Sequence, residues 1–341
     1  MEATGLQIAW FVLFFVLIAG YAVLDGFDLG VGVLSLFNRS DAERRLYINA
    51  IAPVWDGNEV WLLTAGGALF AAFPPVYATT FSGMYLAMML VLLGLISRAV
   101  AMEFRGKVES ATWRRVWDRA FGLGSLLPTI LFGVAVGNVL RGLPLDAEGE
   151  FVGTFLGLLN PLALLCGVLA LAMFVTHGAA YLACRTEGDL RERSLRTAGR
   201  IWWAWAGLYA AATFYAWFDA PTLFATSVGR PVFWTLLIVM AACLGGFPIA
   251  VRQAHVNRAL VLSGTAIAAT IGLCAAAMFP DLVPALAMPS HSLTLVNSSS
   301  SPLALRTMLI IALVGMPMVL AYTVFIYRVF RGPVRLDEHS Y

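Results

Sequence analysis

From Val60 to Ser97 the chain carries no charged residue. A helix crosses the roughly 30 Å hydrocarbon core of a bilayer with about 20 apolar residues, so this run is too long for one crossing. It is read as two crossings turned at Phe73-Pro74-Pro75, because proline removes a backbone donor and restricts the residue before it. With 60% hydrophobic residues, 12% charged residues and a mean hydropathy of +0.82, a water-soluble globule would lack the polar surface to cover itself. Open sheet edges and loops cannot satisfy their backbone groups in lipid, which leaves an all-α, polytopic membrane bundle.

The same length requirement places nine transmembrane helices near 6–34, 50–73, 76–100, 118–140, 156–182, 200–219, 230–251, 257–279 and 304–330. Asn160-Pro161 reads as a helix start and Phe279-Pro280-Asp281 as a stop. MEATGLQIAW has no basic n-region, so the first span is expected to be retained rather than cleaved. We expect two four-helix bundles plus one helix. Residues 1–140 form the first bundle with the acidic motifs, 141–279 the second, 280–303 a Ser/Pro-containing outward-facing loop, and 304–341 the ninth helix and a cytoplasmic tail. All but three of the 22 basic residues, Arg141, Arg230 and Arg306, fall at one side of this arrangement. Lys and Arg favour the cytoplasm, so the N-terminus is expected outside and the C-terminus in the cytoplasm.

Two acidic groups interrupt the apolar text, Asp25 and Asp28 in GYAVLDGFDLGVG and Asp56 and Glu59 in PVWDGNEVWLLTAGG. By helical rise, Asp25 and Asp28 lie near the cytoplasmic end of span 1, and Asp56 lies roughly 10 Å inside span 2. Each pair is spaced i,i+3 and so projects from one face. Two close carboxylates in low dielectric do not both ionise at neutral pH, so one of each pair is expected to hold a proton that it can pass on. The competing structural reading pairs Asp25 and Asp28 with Arg39 or Arg44 near the headgroups, and makes Asp56 a hydrogen-bonder between helices near Gly26 and Gly30. Gly26-x-x-x-Gly30, and likewise Gly66 and Gly67, read as close helix packing.

GYAVLDGFDLGVG (20–32) followed by NAIAPVWDGNEVWLLTAGGALFAAFP (49–74) resembles the signature region of subunit II of the cytochrome bd quinol oxidase family, which includes the cyanide-insensitive oxidases. The likeness continues through FSGMYLAMMLVLLGLISR (81–98) and, more loosely, to the C-terminus. The resemblance implies part of a quinol:dioxygen oxidoreductase of the bacterial cytoplasmic membrane, in which a partner subunit I ligates two haems b and one haem d. It also implies a small single-span accessory subunit, contacts with quinone and lipids, and, in some relatives, a structural quinone in subunit II. It assigns Asp25, Asp28 and Asp56 to a proton pathway from the cytoplasm towards haem d and Trp61 to a dioxygen channel. Glu59, which stands where some relatives carry Gln, and Trp55, beside Asp56, take relay or supporting roles.

The residues themselves argue against haem ligation by this chain. Haem iron takes axial His, Met, Cys or Tyr, and of the four histidines only His177 falls inside a span. His255, His291 and His339 fall outside the spans, and His177 reads as a hydrogen-bonding core residue. Cys166, Cys184, Cys243 and Cys274 are spread among separate spans with no C-x-x-C spacing, which suggests neither a metal site nor a redox pair. A net charge of +2 with no basic stripe points to no nucleic-acid partner. A stand-alone proton-coupled transporter is the alternative reading of the buried acids. Transporters more often repeat discontinuous helices in two halves, and WDGNEVW has no counterpart in the second half.

Overall fold

The computed structural model describes residues 3–38 and 40–336, so Arg39 and His339 lie outside the described residues. Twelve α-helices follow one another among these residues. The first is α1 (Gly5–Ser35), opened by a capping box in which Thr4 and Gln7 satisfy each other's backbone N–H. Next come α2 (Asp41–Ile51), α3 (Trp55–Ala72), α4 (Pro74–Gly83), α5 (Tyr85–Phe104) and α6 (Ala111–Arg141). The second half holds α7 (Pro161–Arg185), α8 (Gly188–Asp219), α9 (Thr222–Ser227), α10 (Pro231–Arg252), α11 (Val256–Met278) and α12 (Pro302–Val329). Seven of these, α1, α5, α6, α7, α10, α11 and α12, are long and apolar enough to cross a membrane.

The differences from the sequence reading have local causes. The expected span 50–73 breaks at Pro53, whose missing N–H ends α2, and α3 starts afresh at Trp55. Asp56 therefore sits in the first turn of α3, where a carboxylate suits the helix dipole, and not roughly 10 Å along a continuous helix. Phe73-Pro74-Pro75 does turn the chain, but into the separate helix α4. The next crossing helix begins only at Tyr85, so there is no tight two-helix hairpin. Asn160 caps α7 by accepting from the Ala163 N–H at 3.0 Å, with Pro161 in the first turn. Cys166 and Cys184 share α7 rather than lying on separate spans. Segment 280–303 is more than a loop. It carries the antiparallel pair β1 (Asp281–Val283) and β2 (Leu293–Thr294) and buries Leu282, Val283, Leu293 and Leu295.

Helices α1 and α7 pack through backbone contact. A Cβ on Gly30 would stand 1.9 Å from the Phe174 carbonyl oxygen, and one on Gly178 would stand 2.6 Å from the Gly30 carbonyl carbon. Gly26 faces the Phe174 ring in the same seam, as the small-residue spacing implied. Gly66 and Gly67 have nothing within 4 Å of a built Cβ, so they serve no packing seam within this chain. The largest core cluster lies among α7, α8, α10 and α11. There Trp202 stacks on Phe247 at 4.1 Å between ring centroids and meets Trp205 edge-on at 4.6 Å. Helix α12 lies at the periphery. It is fixed to α1 where the Trp10 indole donates to the Leu305 carbonyl at 2.9 Å.

Candidate functional site: a buried acid–arginine cluster

The seam between α1, α3 and α5 gathers most of the acids singled out above, together with one cation, Arg98, from near the end of the expected span 76–100. Asp25 and Asp28 are fully buried on α1. Arg98 is fully buried as well, because α5 continues to Phe104 and carries the guanidinium inside the bundle. It donates to Asp25 Oδ1 at 2.8 Å and also to Glu59. Asp28 is held differently. Asn58 Nδ2 donates to Asp28 Oδ2 at 2.8 Å and to the Leu24 carbonyl at 3.2 Å, while its Oδ1 accepts from the Tyr327 hydroxyl at 3.0 Å. Thus α12 reaches the site through one tyrosine.

Asp25 binds a guanidinium and Asp28 an amide, so each has its own partner on a different helix. Asp56 is exposed on the outer face of α3 and makes no hydrogen bond to another helix among the described residues. Glu59 is the intermediate member, with a side chain 23% exposed between Asp56 outside and Arg98 inside. Arg44 pairs with Asp118 at 3.1 Å rather than with Asp25 or Asp28. Neutralisation by a third helix is what permits these charges inside a bundle, since an unpaired buried charge is costly.

Several polar atoms in the cluster have no protein partner among the described residues: Tyr21 Oη, Asp25 Oδ2, Asp28 Oδ1, and Nε and Nη1 of Arg98. Buried polar atoms are ordinarily satisfied by protein or ordered water. Arg98, Asn58, Tyr21 and Tyr327 were missed by the sequence reading. For Arg98 the available signal was its place inside the expected span 76–100, where a charged residue calls for a partner.

Trp61 is buried with Leu17, Tyr21 and Ala65. Its six-membered ring occupies the space a Gly20 side chain would need, with ring atoms 2.2 and 2.3 Å from a built Cβ. Trp55 is half-buried and packs against the cluster of Phe27, Tyr47 and Tyr181. Beside Tyr21 an apolar cavity of about 330 Å³ runs between α1, α6, α7 and α11, lined by residues such as Phe132, Met173, Phe174 and Cys274. The described histidines do not offer a haem ligand inside the bundle. The two ring nitrogens of His177 are already engaged, Nδ1 with Ser263 Oγ at 2.7 Å and Nε2 with the Val23 carbonyl at 3.0 Å, and His255 and His291 lie outside the bundle interior. No group of three or more His, Cys, Asp or Glu that could hold a metal ion occurs among the described residues.

Fold and site together define an all-helical, multi-pass membrane protein with an internal charge cluster opening onto an exposed helical face. Residues 6–330 match the family model described as cytochrome bd terminal oxidase subunit II, and the chain belongs to that family. It is 37% identical to the cytochrome bd-I ubiquinol oxidase subunit 2 of Escherichia coli K12, with 98% of each chain covered. It is 35% identical to the cytochrome bd ubiquinol oxidase subunit 2 of Bacillus subtilis, covering 96% of this chain and 97% of that one. The fold resembles a chain in the structure of bd oxidase from Geobacillus thermodenitrificans, with a TM-score of 0.80 at 16% identity over 96% and 99% of the two chains. The protein is therefore a terminal oxidase subunit of the respiratory chain, a multi-pass protein of the bacterial inner membrane.

Proposed function

We propose that this chain is the supporting subunit of a quinol:dioxygen oxidoreductase and carries protons from the cytoplasm towards haem d of a haem-bearing subunit I. The carrying observation is the bridge made by Arg98, which joins fully buried Asp25 to Glu59, the member that opens onto the outer face of α3 beside Asp56. Subunit I covers that face. The unpartnered oxygens of Asp25, Asp28 and Tyr21 hold water, and water links carboxylates that are not themselves in contact. Trp61 lines the dioxygen route, Trp55 supports α3, and the apolar cavity beside Tyr21 suits the chain of a structural quinone. Nine crossings, with α3 and α8 completing the seven, put the two termini on opposite sides, and the lopsided distribution of Lys and Arg favours an outside N-terminus. At about 1.5 Å per residue, the 18 residues of α3 span roughly 27 Å. Family membership favours this reading over the transporter alternative.

Asp56→Asn tests the path. Asn keeps shape and hydrogen bonding but cannot release a proton, so oxygen uptake per mole of haem d should fall while haem content stays near normal. Asp56→Glu should restore part of the turnover. Normal turnover per haem in Asp56→Asn would remove Asp56 from the path, and loss of haem in both variants would move its role to assembly.

A further inference from the structure

Away from the charge cluster, a cleft of about 1340 Å³ is cut into the side of the bundle, lined by α6, α7 and α8 and, at one end, by the last turn of α1 and the start of α2 with Glu43 and Tyr47. Its chemistry is divided along its length. The end nearest the bilayer middle is apolar, formed by Leu126 and Ile130 of α6, Val168 and Leu171 of α7, and Ala204 and Leu208 of α8. The other end is lined by Arg193, Arg196 and Arg200, which recur at helical spacing on α8, with Ser194 and Thr197 between them. From Arg193 to Leu208 the cleft follows α8 for roughly 22 Å, enough to run from the headgroup level well into the core.

The arginines are not equivalent. Arg193 is neutralised by Glu43 of α2, which also accepts from Asn38 Nδ2 at 2.8 Å. Arg196 and Arg200 are exposed and form no ion pair among the described residues. Two unneutralised guanidinium groups and flanking hydroxyls at the mouth of an apolar trough match one chemistry, a phosphate diester joined to hydrocarbon chains. We infer that this cleft is a binding site for an anionic phospholipid. Its acyl chains lie along Val168, Leu171 and Ala204, and its phosphate sits between Arg196 and Arg200. The lipid acts as a wedge that fills the gap between α6 and α8. Basic pockets between membrane helices are suited to such headgroups on electrostatic grounds. A zwitterionic lipid offers the same chains with its charge cancelled, so the site discriminates by headgroup.

The test uses the purified, haem-containing complex and two photoactivatable probes that differ only in headgroup, phosphatidylglycerol and phosphatidylcholine with a diazirine on one acyl chain. Cross-links are mapped to peptides by mass spectrometry and normalised to haem. The phosphatidylglycerol probe should label the α7 and α8 peptides that line the cleft. Each arginine near an anionic headgroup is worth about a factor of five, so Arg196→Gln with Arg200→Gln should lower that labelling roughly 25-fold. Ala204→Trp, which fills the trough and leaves the charges in place, should abolish labelling by both probes. Equal labelling by the two probes, or labelling unchanged in the double arginine variant, overturns the anionic site. Labelling that survives Ala204→Trp places the lipid elsewhere.

Discussion

The seam of α1, α3 and α5 and the core of α7, α8, α10 and α11 sit in the same bilayer and solve opposite problems. The first buries Asp25, Asp28 and Arg98. The second buries Trp202, Trp205 and Phe247. Lipid tails are as apolar as leucine, so the aromatic core gains little from leaving its surroundings and depends on fit. The charged seam depends on partners. Each of its groups is acceptable only because another helix supplies a counter-charge or an amide, as Arg98 does for Asp25 and Glu59 and Asn58 does for Asp28. The charged seam also reaches the surface, through Glu59 and Asp56, whereas Trp202 and Trp205 are fully enclosed. The proposed chemistry therefore falls to the first region, and the second is built for fit.

The largest effect should come from removing the cation. Arg98→Leu leaves Asp25 buried with no counter-charge, at a cost of about 3–5 kcal/mol, and the yield of haem-containing complex should fall severely. A triple variant, Arg98→Leu with Asp25→Leu and Glu59→Leu, makes the seam resemble the aromatic core. Replacing a whole buried ion cluster with apolar side chains is often neutral or stabilising, so assembly should return while oxygen uptake per haem stays low. Normal yield of the Arg98→Leu complex would break the contrast between the two regions. Recovery of turnover in the triple variant would show the cluster to be structural only.

The unequal legibility of the two regions has a physical basis. Hydropathy marked the apolar helices because length and composition decide a crossing, and Asn160-Pro161 marked a start because its cap is local. The phase of α3 was hidden. Its apolar residues lie on every side, so no periodicity showed that Asn58 points inward and Asp56 outward. Arg98 looked like a cation at the end of a crossing because it closes an apolar run, and only the structure shows that α5 continues for nearly two further turns to Phe104. Packing of α5 against α6 brings Gly124 to the Gly94 carbonyl, 2.6 Å from a built Cβ. Partner choice across helices is a tertiary fact, and the acids were readable where their partners were not.

A smaller effect is expected from the aromatic core. Trp202→Ala removes the stack on Phe247 and the indole donation to the Leu244 carbonyl at 3.3 Å. Large-to-small changes of this kind cost about 3–5 kcal/mol in water-soluble cores, and the lower end applies where the reference solvent is lipid. Thermal stability of the complex should drop, measured by loss of haem absorbance on heating, while turnover per haem at low temperature stays unchanged. A fall in turnover per haem at full haem content would mean that the two regions are coupled rather than divided.

The smallest effect separates the two ends of the bundle outside the membrane. At the arginine-rich end, donation from Arg193 holds the Glu43 carboxyl below its usual range. At the opposite end, partial burial pushes the Asp281 carboxyl above its usual range. The signs of the linkage are opposite. A carboxyl whose folded value is depressed contributes stability above its unfolded value, and that contribution is lost as pH falls through the folded one. For Glu43 the loss begins as pH drops below about 4.3, the ordinary glutamate value. A carboxyl whose folded value is raised costs stability while ionised, and the cost is relieved as pH falls through the folded value. Glu43→Gln should therefore lower the melting temperature slightly at neutral pH, by an amount worth under about 1 kcal/mol for a solvated pair, and flatten its decline in acid. Asp281→Asn should raise the melting temperature slightly at neutral pH and converge with the parent as the medium is acidified. Melting curves of the two variants between about pH 3 and pH 8 read both signs, and a shift in the same direction at neutral pH would refute the assignment of opposite environments to the two ends.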